Sequence, residues 1–160
     1  MNRALFLDRD GVLNKEIGDY AFTKDNFIIN TTSIPFLQHA IKQGYLLIVI
    51  SNQGGIGKGL YMREDAEKMH QIMKEEFERH GIYFAEIYYC PHHPSTSRCL
   101  CRKPETILIE KAAARFNINI SQSYFIGDHD RDMEAARRSG LKPIHIIANE
   151  DISKYINIIS

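Results

Sequence analysis

The sequence of 160 residues has no net charge, because 20 lysines and arginines balance 20 aspartates and glutamates. A balanced total gives no argument for long-range attraction to nucleic acid or to an anionic membrane. Charged residues interrupt the chain from Arg3 onward, so we find no secretory apolar segment, and no later apolar run has transmembrane length. We therefore expect a cytoplasmic protein that binds neither nucleic acid nor membrane.

Cysteine is scarce: there are three, all between positions 90 and 101. An odd number cannot pair completely within the chain, and such clustering favours metal ligands or chemistry over a disulfide framework. At 160 residues the chain is long enough to bury a core without disulfides. We expect one domain, which spans residues 1–160.

Short apolar runs alternate with segments of helical periodicity along the whole sequence. The predicted strands are residues 4–7, 46–50, 87–89, 124–126 and 144–147, and the predicted helices are residues 33–43, 63–80, 104–116 and 130–139. This alternation predicts an α/β fold, a Rossmann-like parallel sheet with helices on both faces. No insertion is long enough to form a large cap domain, so loops must build the site.

Polar residues follow the predicted strands at the points where the strands end. Asp8 and Asp10 follow the first strand, Ser51 and Asn52 the second, and Asp128 the fourth. Open parallel sheets bind ligands outside the carboxyl ends of their strands. We therefore expect these side chains to gather at one edge of the sheet and to form the site.

The three acids predict phosphate chemistry with a divalent metal. Asp8, Asp10 and Asp128 offer oxygen ligands of the kind that Mg²⁺ prefers, together with substrate phosphate. The Asp8 carboxylate can attack phosphorus and form an aspartyl phosphate. Asp10 can protonate the leaving oxygen and later activate water.

Hydroxyl, amide and ammonium groups complete the predicted phosphate site. Ser51 and the backbone near Asn52 can donate to phosphate oxygens, and Lys103 can supply a fixed positive charge. A lone acid after a strand is usually a helix cap, and a lone lysine is usually solvated. The occurrence of such groups at successive strand ends favours the functional interpretation.

A second metal site is predicted between the third strand and the third helix. Cys90 and His92 form one pair of ligands, and Cys99 and Cys101 form another. Three thiols and an imidazole are the donors of a closed tetrahedral zinc site, which leaves no open position and is structural. His93 is the alternative nitrogen ligand, and buried thiols beside a surface histidine are the alternative to any zinc site.

Four segments in this order resemble the successive motifs of the haloacid dehalogenase (HAD) superfamily of phosphatases. The segments are Asp8-Arg9-Asp10-Gly11-Val12, Ser51-Asn52-Gln53, Arg102-Lys103-Pro104 and residues 127–132. The resemblance implies that Asp8 is the nucleophile, that Asp10 is the general acid and base, and that Asp132 orients its neighbours. It also implies that Asp8, the Asp10 main-chain carbonyl and Asp128 hold Mg²⁺. The substrate-binding residues expected at this site are Ser51, Asn52, Arg102 and Lys103.

The zinc-binding loop is similar to one branch of that superfamily, the D,D-heptose 1,7-bisphosphate phosphatases and the related histidinol-phosphate phosphatases. The family match favours His92 as the nitrogen ligand. The glycine-rich segment 52–59 resembles the heptose branch, whereas the short gap between His92 and Cys99 is closer to the histidinol branch. We predict a Mg²⁺-dependent phosphatase of a small phosphorylated sugar, heptose 1,7-bisphosphate. Histidinol phosphate is the alternative substrate.

Three other functions are compatible with parts of the pattern. A polynucleotide 3′-phosphatase would need a basic and aromatic track, which this sequence lacks. A phospho-acceptor signalling domain or an inert zinc-stabilised module leaves either the cysteines or the complete set of acids unexplained.

We expect a monomeric enzyme. His129 departs from the usual lysine or arginine of the branch. It either partly replaces that cation at the phosphate site or only forms a hydrogen bond within the loop.

Overall fold

The computed structural model describes all 160 residues. Its strands are β1 (Arg3–Leu7), β2 (Tyr45–Asn52), β3 (Glu86–Cys90), β4 (Tyr124–Gly127) and β5 (Lys142–His145). Its α-helices are α1 (Ser33–Lys42), α2 (Arg63–Glu78), α3 (Ile107–Arg115) and α4 (Asp130–Ser139). The strands form one parallel sheet in the order β3-β2-β1-β4-β5. The predicted Rossmann-like α/β fold is confirmed.

The apolar run of β1 is buried on both faces of the sheet. Leu5 and Leu7 pack in a cluster with side chains of α1 and α2, whereas Ala4 and Phe6 pack with side chains of α3 and α4. Alternate residues of a strand point to opposite faces, so a central strand covered by helices on both sides needs an unbroken apolar run. This layering fixes β1 at the centre of the molecule.

The sheet places the carboxyl end of β1 at the point where the strand order reverses. From β1 the chain runs outward through β2 and β3 on one side, and β4 and β5 lie on the other side. Such a switch point leaves a crevice beyond the carboxyl ends of the two central strands. The loops after β1 and β3 build the rest of the site, and no inserted cap domain is present.

The clearest differences from the predicted element boundaries are in the third helix and the fifth strand. We predicted that the third helix opens at Pro104, but α3 begins at Ile107. The Lys103 carbonyl, which would accept the first hydrogen bond of the predicted helix, instead accepts one from the Asn52 side chain. The fifth strand is Lys142–His145 rather than residues 144–147, because Pro143 lies on an edge strand, where a missing N–H need not break a ladder.

Helix α4 ends at Ser139 and is followed by Gly140, whose φ of 84° is a left-handed conformation that glycine adopts without strain. None of the helices combines the length and the apolar character that crossing a bilayer requires.

A buried serine completes the hydrogen bonding of β1. Ser123 Oγ accepts a hydrogen bond from the Ala4 main-chain N–H (2.9 Å) and donates to the Asn119 carbonyl (2.7 Å). We predict that Ser123→Ala lowers the free energy of unfolding by about 1–3 kcal/mol, because the Ala4 N–H is left buried without a partner. Urea unfolding measures this difference. The matched control is Ser121→Ala on the exposed surface, with an expected change within about 0.5 kcal/mol. Equal effects of the two substitutions would contradict the assignment.

Candidate active site

A polar cleft of about 340 Å³ opens beyond the carboxyl ends of β1 and β4. Its lining brings together predicted site residues from separate segments with residues that the sequence analysis did not assign. The lining residues are Asp8, Asp10, Glu16, Gly18, Asp19, Tyr20, Asn52, Asp128, His129 and Arg131. The acids and the amide therefore meet at one edge of the sheet, as the strand pattern predicted.

Lys103 is buried against Asp8, which lines this cleft, and contacts two carboxylates. Its Nζ is 2.8 Å from Asp8 Oδ1 and 2.7 Å from Asp132 Oδ1, and it donates to the Ile50 carbonyl at 2.7 Å. Burial lowers the pKa of Lys103, but the attraction of the two carboxylates outweighs burial and the net shift is upward. The lysine is therefore a permanent cation beneath Asp8.

The neighbouring acids carry more negative charge than Lys103 can balance. Burial and the Asp132 carboxylate raise the pKa of Asp8 well above its usual range, and the Lys103 ammonium opposes the rise without cancelling it. Burial also raises the pKa of Asp128. The crowding of these carboxylates shows that a further cation would relieve the site.

The acid cluster fits a hard divalent cation. Carboxylate oxygens of Asp8, Asp128 and Asp132 lie within 4.8 Å of one another, and oxygen donors are those that Mg²⁺ prefers. Gly11, with a φ of 87°, follows Asp10, and a Cβ there would come within 2.6 Å of Asp128 Oδ2. A side chain at this position would therefore displace Asp128 from the cluster.

Asp10 is held by a network that points its carboxylate toward the cleft. Arg9 donates to both carboxylate oxygens, through Nε at 3.2 Å and Nη2 at 2.9 Å. Asn14 and Gln53 each donate another hydrogen bond, at 2.8 and 3.2 Å. Burial raises the pKa of Asp10, but the Arg9 charge and these hydrogen bonds outweigh it, so the net pKa is below its usual range. Asp10 is therefore ionised in the free site.

Ser51 lies fully buried beside this network rather than on the cleft wall. Its Oγ accepts a hydrogen bond from Gln53 Nε2 at 2.7 Å, and Gln53 Oε1 in turn accepts from the Tyr61 hydroxyl at 2.6 Å. The Ser51 hydroxyl proton thus remains available as a donor. The sequence analysis quoted Gln53 in a motif but gave it no role, because its contacts depend on Tyr61.

Asn52 lines the cleft, yet its side chain is hydrogen-bonded to the main chain of Lys103. Its Oδ1 accepts from the Lys103 N–H at 3.0 Å, and its Nδ2 donates to the Lys103 carbonyl at 3.2 Å. The amide therefore clamps the peptide that carries the lysine. Substrate binding by Asn52, expected from the sequence, stays a prediction; in the free site both polar atoms of the side chain are hydrogen-bonded to Lys103.

Arg102 does not line the cleft, and a second arginine lies on the cleft wall. Arg102 Nη1 donates to the His92 carbonyl at 3.3 Å. Burial and the nearby positive charge of Arg131 lower the pKa of Arg102. Arg131, in the first turn of α4, lines the cleft itself. The sequence analysis assigned only Arg102, although Arg131 lies within the 127–132 motif.

The four predicted zinc ligands come together in the loop after β3. Cys101 Sγ is 3.0 Å from Cys90 Sγ and 3.2 Å from His92 Nδ1, and Cys99 Sγ is 3.6 Å from Cys90 Sγ. All four donor atoms lie within 4.8 Å of one another, and the three cysteines form no disulfide. Three sulfurs and one nitrogen in a closed group fit zinc.

His93, the alternative nitrogen ligand, points away from the cysteines. Its Nδ1 is 2.7 Å from Ser95 Oγ. The glycine-rich segment packs directly against this loop: a Cβ on Gly57 would lie 2.8 Å from the His93 main-chain nitrogen and 2.9 Å from the Pro91 carbonyl oxygen. The absence of a side chain at Gly57 therefore allows the glycine-rich segment and the loop after β3 to approach each other closely.

Comparisons with known proteins agree with this geometry. Residues 100–148 match the family described as HAD-hydrolase-like. The D-glycero-beta-D-manno-heptose-1,7-bisphosphate 7-phosphatase of Helicobacter pylori is 40% identical over 142 residues, which cover 88% of this chain and 81% of that protein. The histidine biosynthesis bifunctional protein of Legionella pneumophila is 37% identical over 142 residues, which cover 88% of this chain and 40% of that protein.

Among solved structures, the chain resembles D,D-heptose 1,7-bisphosphate phosphatase from B. bronchiseptica, a structure complexed with magnesium and phosphate. The TM-score is 0.82 at 27% identity, and the match covers 88% of this chain and 78% of that one. The structural similarity therefore extends over most of the chain.

The clamp on Lys103 generates a prediction about Asn52. We expect Asn52→Ala to lower the free energy of unfolding by about 1–3 kcal/mol, since it leaves main-chain groups of the buried Lys103 without partners. Tyr20→Phe, on the wall of the same cleft, is the control, with an expected change within about 0.5 kcal/mol. Chemical unfolding of both variants provides the comparison. Unchanged stability together with a raised KM would show that Asn52 acts on substrate directly.

Proposed function

Since the chain belongs to the HAD-like hydrolases, among the relatives of the heptose bisphosphate 7-phosphatases, we propose that it removes the 7-phosphate of D-glycero-D-manno-heptose 1,7-bisphosphate. The observation that carries the proposal is the placement of Asp8, with Lys103 beneath it, next to Asp10 on the floor of an open polar cleft. A nucleophile, a fixed cation and a proton donor are the parts that phosphate ester hydrolysis through a covalent intermediate requires.

In the first step, an Asp8 carboxylate oxygen forms a bond to phosphorus while the bond between phosphorus and the sugar oxygen breaks. Asp10 gives its proton to that leaving oxygen. Asp10 is ionised in the free site, as its lowered pKa indicates. The negative charge of a bound phosphate favours its protonated form, which is the form that donates.

In the second step, Asp10 takes a proton from a water molecule that attacks the phosphorus of the aspartyl phosphate. The bond between Asp8 and phosphorus breaks, inorganic phosphate leaves, and the Asp8 carboxylate is restored. The same side chain thus acts first as acid and then as base. The Arg9, Asn14 and Gln53 donors hold the Asp10 carboxylate in place for both steps.

Lys103 and Ser51 are proposed to bind the phosphoryl oxygens; Ser51 is buried in the free site, so this contact requires the phosphate to reach the hydroxyl proton that Gln53 leaves free. The Lys103 ammonium is fixed by its contacts to Asp8 and Asp132, so little reorganisation is needed when charge develops on the phosphoryl group. We propose that Asp8, the Asp10 main-chain carbonyl and Asp128 hold Mg²⁺. When bound, that ion neutralises negative charge and polarises a phosphate oxygen.

Zinc is proposed as a structural ion held by Cys90, His92, Cys99 and Cys101. Four protein ligands leave no position for substrate, so the ion acts on the loop and not on the reaction. The loop continues from Cys101 directly into Arg102 and Lys103. We infer that zinc fixes the segment that carries the catalytic lysine.

The polar wall of the cleft supports a small hydroxylated substrate. Glu16, Asp19 and Tyr20 line the same cleft as the acids that follow β1 and can bind hydroxyl groups of a sugar. Histidinol phosphate remains the second candidate, because the same carboxylates suit the ammonium of that substrate and the Legionella protein is 37% identical. The monomeric state and the cytoplasmic location stay predictions.

Comparison of the two substrates tests the proposed function. We expect kcat/KM for heptose 1,7-bisphosphate to exceed that for histidinol phosphate by at least about tenfold, or about 1.4 kcal/mol of transition-state stabilisation. The assay is release of inorganic phosphate at saturating Mg²⁺, with and without chelator. A preference for histidinol phosphate would assign the chain to the alternative, and no Mg²⁺-dependent turnover of either would overturn the proposal.

The zinc proposal predicts a loss of stability when a ligand is removed. Cys99→Ser should lower both the zinc content and the melting temperature, because binding of structural zinc contributes folding free energy. Metal analysis and thermal unfolding provide the measurements on protein purified without chelator. The control is His93→Ala, since His93 lies outside the group of four ligands and its Nδ1 is hydrogen-bonded to Ser95 Oγ. This variant should keep its zinc. Zinc-free wild-type protein, or zinc loss in the His93 variant alone, would contradict the ligand set.

A further inference from the structure

A buried histidine lies outside the cleft, on the inner face of α2. His70 is only 6% exposed and sits among apolar α2 residues such as Met69 and Met73. Its ring packs edge-on against Tyr89 of β3, with ring centroids 5.4 Å apart. The reaction scheme uses none of these residues, and an apolar side chain would suit the surrounding core. A polar ring at this position therefore calls for a polar partner.

That partner is the Arg9 guanidinium, which is 1% exposed. Arg9 Nη1 lies 3.3 Å from His70 Nε2, and Nη2 donates to the Ala21 carbonyl at 3.2 Å as well as to Asp10. The guanidinium thus bridges α2, the loop after β1 and the Asp10 carboxylate. The planar guanidinium can donate to both oxygens of the Asp10 carboxylate only while these contacts fix the orientation of the guanidinium.

The N–H donors of Arg9 determine the protonation state and the tautomer of His70. Arginine has only donors, so Nε2 of His70 must accept and the ring must be neutral with its proton on Nδ1. Burial and the Arg9 charge lower the pKa of His70 to about 3, which agrees with a neutral ring. The Nη1 side of the Arg9 guanidinium therefore depends on an acceptor that α2 supplies.

We propose that His70 is a positioning residue for the acid and base catalyst, acting through the hydrogen bond from Arg9 to fix the carboxylate of Asp10. The inference rests on the proposed function, because it assigns Asp10 its part in both steps of phosphate ester hydrolysis. It goes further in connecting a helix that lies away from the cleft to the proton transfers. His70 does not touch substrate.

If His70 acts through Asp10, its loss slows particular steps of the reaction. If His70 only packs in the core, its loss is not confined to those steps. A good leaving group such as nitrophenolate needs little protonation, so formation of the phosphoenzyme should be nearly independent of Asp10. Breakdown of the phosphoenzyme still needs a base, and a sugar leaving group needs an acid. Loss of His70 should therefore slow only the steps that Asp10 serves.

Three α2 variants separate the possibilities. His70→Leu keeps the volume of the side chain and removes the acceptor, whereas His70→Gln supplies an amide oxygen that can accept from Arg9. Phe77→Leu lies two turns farther along the same buried face and alters core packing away from Arg9. Asp10→Asn is the reference for complete loss of acid and base catalysis.

We expect His70→Leu to reduce kcat on heptose 1,7-bisphosphate by about 10- to 100-fold, the usual effect of losing a group that orients a site residue, with KM changed by less than about threefold. With nitrophenyl phosphate, rapid mixing should show a burst of nitrophenolate at close to the wild-type rate, followed by slow turnover. His70→Gln should recover most of kcat. Phe77→Leu should lower the melting temperature and leave kcat within about twofold of wild type.

Equal kcat in His70→Leu and wild type would overturn the inference, and so would a burst slowed as much as turnover or a failure of His70→Gln to recover activity in folded protein. The wild-type and Asp10→Asn enzymes in the same series test the proposed function separately. Absence of wild-type turnover on any phosphate ester rejects that function, whereas normal behaviour of both, with an unaffected His70→Leu, rejects only the role of His70.

Discussion

The arrangement of the site depends on one buried ammonium group, that of Lys103. It contacts Asp8 at the end of β1, the Ile50 carbonyl of β2 and Asp132 of α4, and so joins three elements of the fold. Removing one partner of a buried ion pair leaves an uncompensated charge, which costs about 3–5 kcal/mol. Asp8, the proposed nucleophile, is therefore held in a fixed position, because separating it from the lysine would leave a buried charge uncompensated.

The surrounding structure serves to hold that lysine and to orient the second acid. Asn52 binds both main-chain groups of Lys103, and the Cys/His cluster ends at Cys101, two residues before it. On the other side of the cleft, Arg9 fixes Asp10 from within the core. The electrostatic environments of the two acids differ, because Asp8 contacts a cation in a crowded cluster of carboxylates, whereas Asp10 lies in a network of hydrogen-bond donors.

Much of this arrangement could be predicted from the sequence. The buried apolar run before Asp8 and the alternation of strands and helices give the fold and place the acids at one edge. The spacing of the cysteines predicted their cluster, because ligands two residues apart on a loop meet readily; the choice between His92 and His93 needed the family resemblance and agrees with the geometry. These signals are local in the chain.

The remainder depends on tertiary contacts that leave no local pattern. Arg9 and His70 are 61 residues apart, and nothing in the α2 periodicity distinguishes a histidine with a partner from one on a polar border. The predicted start of α3 was wrong because the Asn52 side chain competes for the Lys103 carbonyl. Arg131 was not assigned, because only the folded cleft distinguishes it from a solvated residue in a helical first turn.

The central claim is that Asp8 is the nucleophile, and trapping of the covalent intermediate tests it most directly. Asp10→Asn protein mixed with nitrophenyl phosphate, quenched in acid and digested, should yield a peptide containing Asp8 that is heavier by one phosphoryl group. Asp8→Asn protein should show neither the modified peptide nor turnover. Phosphoryl transfer to another side chain, or steady turnover by Asp8→Asn protein, would contradict the account.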